Sequence, residues 1–183
     1  EEADDVMATA ADWAAGQGGA VLLATADKDL CQLVTDRVHM IPLTKADEKQ
    51  GPAQVRERLG VRPDQVAACL ALTGDSADNI AGVPGIGPKT AARLLEQYDS
   101  LANLQARMHE VEPARIRDLL QTHADRLVRN LALTQLNRAL PLQLGWEGLA
   151  RRKPDWTRYI AFLERMEMNS MAREAREAAS SLF

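Results

Sequence analysis

Aromatic residues are scarce in this 183-residue chain: three Trp, two Tyr and two Phe, or 4%. The two cysteines, Cys31 and Cys69, have no CxxC partner and no histidine nearby in sequence. That spacing argues against zinc and for a reducing compartment. The longest unbroken apolar run is seven residues, Val66–Leu72. It is too short to span a membrane or to form the apolar stretch of a secretory signal. Collagen-like periodicity, heptads, internal repeats and low-complexity tracts are all missing, so fibrous and disordered classes fall away. What remains is a chain with 46% apolar and 26% charged residues. Its length suits one domain, or one domain with a small appendage, and such a chain buries roughly 70% of its unfolded surface. It opens on Glu1 in a stretch that already reads as helix, so it is expected to begin partway through a larger protein.

Charge is distributed unevenly. The net charge is −4, which by itself argues against a general nucleic-acid binder. Residues 1–83 hold 14 acids and 7 bases, whereas residues 84–183 hold 12 acids and 15 bases. The front is acidic and the remainder mildly basic.

The hydrophobic pattern predicts alternating elements first and helices afterwards. Val6, Ala10 and Trp13 recur at helical spacing over 3–15, ended by Gly16, Gly18 and Gly19. The run 20–25 reads as a buried strand, 29–36 as a short helix with Leu30, Leu33 and Val34 inward, and 37–43 as a second strand. Strand, helix, strand implies a parallel αβ unit, with ligands at the C-terminal ends of its strands. Residues 45–51 read as a polar loop. Pro52 and Pro63 each open a helix, the second running to Thr73. Beyond Ala81 the pattern is helical, except that 139–144 suggests a returning edge strand. The expected organisation is an αβ core over 1–80, a helical region over 81–138, and a returning strand with terminal helices over 139–183 that pack on the core.

Three carboxylate groups punctuate this pattern: Glu2, Asp4 and Asp5; Asp27 and Asp29; Asp75 and Asp78. Taken singly each has an ordinary explanation. Acids favour a helix N-terminus, Asp is a common N-cap, and polar loops are solvated. Taken together they fall at junctions where an αβ sheet presents its upper edge. Gathered there, they would repel one another unless divalent cations relieved the charge. Oxygen donors without His or Cys select hard ions such as Mg²⁺ or Mn²⁺. Two such ions suit phosphodiester hydrolysis.

A fourth motif, Gly82-Val-Pro-Gly85-Ile86-Gly87-Pro-Lys89-Thr90, reads as a tight hairpin opening a helix. Amides aimed outward from such a turn suit phosphate, and Lys89 and Thr90 add a charge and a hydroxyl. It is not a P-loop, because Pro88 intervenes before the lysine. Phosphate contacts carry no sequence preference and are sensitive to salt. Lys28, between two acids, is expected to form a local ion pair. Trp13, Trp146 and Trp156 read as core residues, Arg151–Lys153 as a solvated linker, and residues 171–177 as an exposed helix face. His39, His109 and His123 are too scattered to suggest catalysis.

The segments EADD (2–5), TADKDL (25–30), TGDSADN (73–79) and GVPGIGPKTAARLL (82–95), in this order and at these intervals, resemble the 5′-nuclease (flap endonuclease) domain of bacterial DNA polymerase I. The likeness covers essentially the whole chain, including LPLQL (140–144) and AFLERMEM (161–168). It implies an α/β, PIN-like nuclease core with a helix–hairpin–helix element appended. It further implies that Glu2, Asp4, Asp5, Asp27, Asp29, Asp75 and Asp78 are metal-site acids, with Asp5, Asp27 and Asp75 closest to the chemistry. The implied cofactors are two Mg²⁺ or Mn²⁺ ions, with K⁺ held by carbonyls of the hairpin. Gly82, Gly85, Ile86, Gly87, Lys89 and Thr90 would grip duplex DNA carrying a 5′ flap or nick. The implied activity removes flaps and primer RNA in the bacterial cytoplasm, with a polymerase domain following in the parent chain. That family also has an N-terminal portion with the first strand, two further acidic ligands and a basic helical arch. None of it precedes Glu1, so this chain alone is expected to cleave feebly or not at all. Two other readings stand beside this one: a non-catalytic duplex-binding module, and a phosphohydrolase acting on small esters.

Overall fold

The computed structural model describes residues 2–43 and 48–180. The polar loop expected over 45–51 therefore lies partly outside the described residues. Helix α1 (Ala3–Gly16) ends at the predicted glycines. Its buried side chains are Ala8, Thr9, Ala11 and Ala14, whereas Val6 is exposed. Small side chains let α1 lie against the first strand and the turn that follows it.

Strands β1 (Val21–Ala24) and β2 (Val38–Ile41) pair in parallel, from Val21 opposite Val38 to Ala24 opposite Ile41. The crossover is a 3₁₀ turn, Asp29–Leu33, shorter than the helix predicted to Asp36. Thr35 stops it early. Its hydroxyl accepts from the Arg37 and Val38 amides (3.2 and 3.1 Å), a local alternative to another helical turn. Leu30, Leu33 and Val34 face inward as the pattern predicts.

Helix α2 (Pro52–Leu59) stops at Gly60, whose φ of 75° is a left-handed cap that glycine adopts without penalty. Pro63 opens a 3₁₀ turn leading into α3 (Val66–Thr73), which is apolar on every side and correspondingly buried. Strands β3 (Gly74–Asp75) and β4 (Ile80–Ala81) then form a two-residue antiparallel ladder that the sequence pattern does not disclose. Helices α4 (Pro88–Tyr98), α5 (Leu101–Ala106), α6 (Ala114–Thr122) and α7 (Ala124–Thr134) follow. One apolar cluster runs from Ala8 through Leu23, Leu72 and Leu94 to Leu127, and Glu1–Gln143 form one compact unit.

Helix α7 packs on α3 through buried polar groups as well as apolar ones. Asn130 Nδ2 donates to the Ala71 and Ala81 carbonyls (3.0 Å each), and the Thr134 hydroxyl to that of Ala67 (2.9 Å). Buried Gln32 donates to the Thr134 carbonyl and accepts from the Leu136 amide. These polar groups of Asn130, Thr134 and Gln32 all find partners, so the contacts fix one register.

The edge strand predicted over 139–144 does not form. Side chains of Thr9, Asp5 and Asn137 bind the backbone at its start instead. The Thr9 hydroxyl donates to the Asn137 carbonyl and accepts from the Leu140 amide, and Asp5 Oδ1 accepts from the Asn137 amide.

Leu144–Phe183 form a second unit, with α8 (Trp146–Leu149), α9 (Trp156–Arg165) and α10 (Asn169–Ser180). Leu163, Ala172 and Ala175 make its small core, with Trp156 and Ile160 against them. Trp146 is not a core residue: it is 52% exposed, in a four-residue helix too short to present a buried face. Trp13 and Trp156 are half-buried, and Arg151–Lys153 are exposed, as a solvated linker would be.

Two glycines set the approach of the chain to itself between α3 and α4. A Cβ on Gly82 would lie 2.2 Å from the Thr73 carbonyl carbon, and one on Gly74 2.3 Å from the Gly82 nitrogen. Gly82→Ala is therefore expected to cost more than about 3 kcal/mol, read as a lowered urea midpoint. Gly16→Ala, where nothing lies within 4 Å, should stay within about 0.5 kcal/mol.

Candidate functional site

Beyond Ala24, the last residue of β1, the chain turns through Thr25–Asp29. The Thr25 hydroxyl accepts from the Asp27 amide (3.0 Å), and Asp27 Oδ1 accepts from the Asp29 amide (2.9 Å). The turn is thus held by its own short polar side chains. The β3–β4 ladder delivers Asp75 to the same place, where Asp75 Oδ1 accepts from the Ala77 amide (3.0 Å). Ligand oxygens of Asp29, Asp75 and Asp78 all lie within 4.8 Å of one another.

Lys28 enters this group. Its Nζ is 2.5 Å from Asp75 Oδ2 and 3.2 Å from Asp29 Oδ1. The local pair expected from sequence is therefore present with Asp29, and a longer link to Asp75 crosses 47 positions. Asp29 Oδ1 is buried and accepts no hydrogen bond, so the Lys28 ammonium 3.2 Å away meets it as an ion pair alone. A buried carboxylate oxygen without a hydrogen bond, set among other oxygen donors, fits a hard divalent cation.

A cleft of about 690 Å³ opens over these residues. Glu2, Asp4, Asp27, Asp29 and Asp78 line it, together with Arg126 and Arg129 of α7. Burial raises the Asp4 carboxyl above its ordinary range, and the charges of Asp27, Glu2, Asp5 and Asp78 push it further. Burial likewise raises Asp29, against the pull of Lys28. Burial would raise Asp75 too, but the Lys28 ammonium and the Ala77 and Asp78 amides outweigh it and hold the carboxyl low. The three groups of acids predicted from sequence therefore meet electrostatically. Asp5 is placed differently from the rest: its Oδ1 accepts from the Asn137 amide (2.8 Å).

The glycine-rich hairpin is a turn with Pro84 and Gly85 at its tip. The Ile86 amide donates to the Val83 carbonyl (3.1 Å), and Gly85 has φ +81°. Val83 and Ile86 are buried, so Ile86 anchors the turn from beneath. Gly85, Gly87 and Lys89 are exposed, and Gly87 caps α4 with Pro88 at its first position. The amides beyond Pro88 and the Lys89 charge are left facing outward, an arrangement suited to anions. Arg126 joins the two places, donating from its guanidinium to the Gly82 carbonyl (2.9 Å). Sequence reasoning missed Arg126, Arg129 and Asn130. The i, i+3 spacing of the two arginines puts them on one face of α7, but nothing in the pattern says what that face meets.

Residues 1–60 match the family model for the 5'-3' exonuclease, N-terminal resolvase-like domain, and residues 61–157 that for the 5'-3' exonuclease, C-terminal SAM fold. The chain belongs to the 5'-3' exonuclease family. Similar proteins include the thermostable DNA polymerase I of Thermus aquaticus, 43% identical over 94% of this chain and 20% of that one. The DNA polymerase I of Bacillus subtilis is 33% identical over 93% of this chain and 20% of its own. The chain thus spans about one fifth of the length of these relatives. Among solved structures, T5 5'-exonuclease with bound divalent zinc ions superposes with a TM-score of 0.67 at 27% identity, covering 74% of this chain and 50% of that one. The bacteriophage T5 D15 flap endonuclease, solved as a pseudo-enzyme-product complex with DNA and metal ions, gives 0.66 at 26% identity, with the same two coverages. The predicted α/β, PIN-like core with an appended helical region is the fold of this exonuclease family.

The opposite shifts of Asp29 and Asp75 predict opposite effects on the metal-free protein. A raised carboxyl favours folding while protonated, and that contribution is lost as pH rises through its folded value. Asp29→Asn in EDTA should therefore raise Tm at pH 7, a gain that fades as pH falls. A depressed carboxyl stabilises above its ordinary range and ceases to as pH falls through its folded value. Asp75→Asn should lower Tm at pH 7, with the difference shrinking in acid. Thermal melts from pH 3 to 8 check both.

Proposed function

We propose that the carboxylate cleft is the hydrolytic centre of a divalent-metal-dependent 5′-nuclease acting on DNA at 5′ flaps or nicks, and on primer RNA. The observation that carries this reading is the convergence of ligand oxygens of Asp29, Asp75 and Asp78 within 4.8 Å of one another, with Asp29 Oδ1 buried and without a hydrogen bond. The donor set, all carboxylate, favours Mg²⁺ or Mn²⁺. Asp29, Asp75 and Asp78 would hold one ion, and Glu2, Asp4, Asp5 and Asp27 offer oxygens for a second. Such a pair, when bound, supplies an activated water and stabilises the leaving oxygen of a phosphodiester. Within the chain, the amide-held Asp75 keeps its charge, and the Thr25–Asp29 turn fixes where Asp27 and Asp29 stand.

The hairpin supports the choice of polymer. Gly82, Gly85, Gly87, Lys89 and Thr90 would meet backbone phosphates of the duplex, with Ile86 anchoring the turn and K⁺ on the turn's carbonyls. A small phosphate ester would need no second phosphate site away from the cleft. The identity of the relatives supports a polymerase domain C-terminal to this one in the parent chain, and work on DNA in the bacterial cytoplasm. No described helix is long and apolar enough to cross a membrane.

The test is a labelled 5′-flap duplex with Mg²⁺ or Mn²⁺ and an EDTA control, read on denaturing and native gels. Cleavage near the flap junction that disappears in EDTA, with a retarded complex on the native gel, is the expected outcome. In the parent protein, Asp27→Ala and Asp75→Ala should each cut EDTA-sensitive cleavage by at least about 100-fold, the upper end of what losing a mere supporting partner costs. Binding in EDTA should survive both. Retarded complex with no metal-dependent cleavage by the parent would leave the duplex-binding module instead. Lys89→Ala should weaken binding to every sequence alike and reduce the slope of log K against log[salt] by about 1.

A further inference from the structure

The Lys28 ammonium sits among the oxygens that would hold a cation. It lies 2.5 Å from Asp75 Oδ2 and 3.2 Å from Asp29 Oδ1, within the group that Asp78 completes. It relieves part of the repulsion among the three carboxylates. It does so incompletely, since one ammonium faces three carboxylates. The lysine stem borders the acidic cleft and also a smaller apolar hollow of about 240 Å³, lined by Arg58, Cys69, Leu70 and Thr73 among others. The side chain therefore has room on more than one side.

We propose that Lys28 is a resident counter-ion of the Asp29–Asp75–Asp78 position, competing with divalent metal there and displaced when metal binds. The inference rests on the metal-site reading above. A doubly charged ion and an ammonium cannot share oxygens at these distances without strong repulsion. The ammonium is the partner that can leave, because its four-carbon stem is flexible and its head is well hydrated. Its tether on the turn after β1 keeps it near the cleft, where it can meet a phosphate oxygen. Two consequences follow. The metal-free protein is spared bare carboxylate repulsion, and metal affinity is lower than the acids alone would give.

Mn²⁺ titrations followed by loss of the free-ion electron paramagnetic resonance signal test this on the wild type, Lys28→Met and Lys28→Arg, with circular dichroism to verify folding. Methionine keeps most of the apolar stem and drops the charge. Lys28→Met is expected to bind its first Mn²⁺ tighter by on the order of tenfold or more, and Lys28→Arg to stay near the wild type. Unchanged or weaker affinity in a folded Lys28→Met overturns the inference while leaving the metal site standing. Failure of all three proteins to bind Mn²⁺ overturns the metal site, and the inference with it. A second measurement needs no variant. Acetylation of Lys28 in the wild type, quantified by mass spectrometry against exposed Lys89, should rise severalfold on saturation with Mn²⁺. An unchanged or lower rate overturns the inference.

Discussion

Carboxylates that share a cleft repel one another, and this chain brings three groups of them to the head of one short strand. Everything around the site is organised by that repulsion. Lys28 offsets part of the charge of Asp29 and Asp75, and backbone amides of Ala77 and Asp29 hold carboxylate oxygens of Asp75 and Asp27. Asp4 and Asp29, with less compensation, are pushed toward protonation. Such imbalance is unfavourable for folding and useful for binding a cation, because the same charges that strain the metal-free protein attract the ion. The site is thus a small deficit of stability held in place by the surrounding core.

The core holds it through polar contacts more than through the sheet. Two parallel strands of four residues cannot by themselves position much. Helix α7 is instead locked to α3 by Asn130 and Thr134, and to the Asp29–Leu33 turn by Gln32. Those links set where Arg126 and Arg129 face the acids. Arg126 also ties the cleft to the carbonyl of Gly82, so the glycine-rich hairpin and the carboxylate cleft are linked within one compact unit. Gly74 and Gly82 make this link possible by letting two backbone segments approach where a side chain could not fit.

Much of this was legible in the residues. Proline marks the starts of α2 and α4 and glycine the stop of α2, and the apolar run 20–25 gives β1. Hydrophobic spacing failed where local polar chemistry competed. Thr35 cuts the crossover helix short, and Thr9 and Asp5 of α1 bind the backbone of Asn137 and Leu140 where a strand over 139–144 would have begun. It also failed at α1, whose buried face is made of alanines and Thr9 rather than its bulkier residues. Trp146 shows the limit of composition as a guide, since a large apolar side chain is buried only where an element offers a face.

By itself the sequence determined which acids exist, that no His or Cys stands within their three motifs, and that a glycine turn opens the helix that carries Lys89. Those are properties of residue type and near spacing, which local stereochemistry converts directly into turns and caps. Only the tertiary structure decided which acids share oxygens, that Lys28 lies between Asp29 and Asp75, and that α7 faces them. Distances across 47 or 102 positions of chain depend on how the core packs, and packing is a property of all its side chains at once.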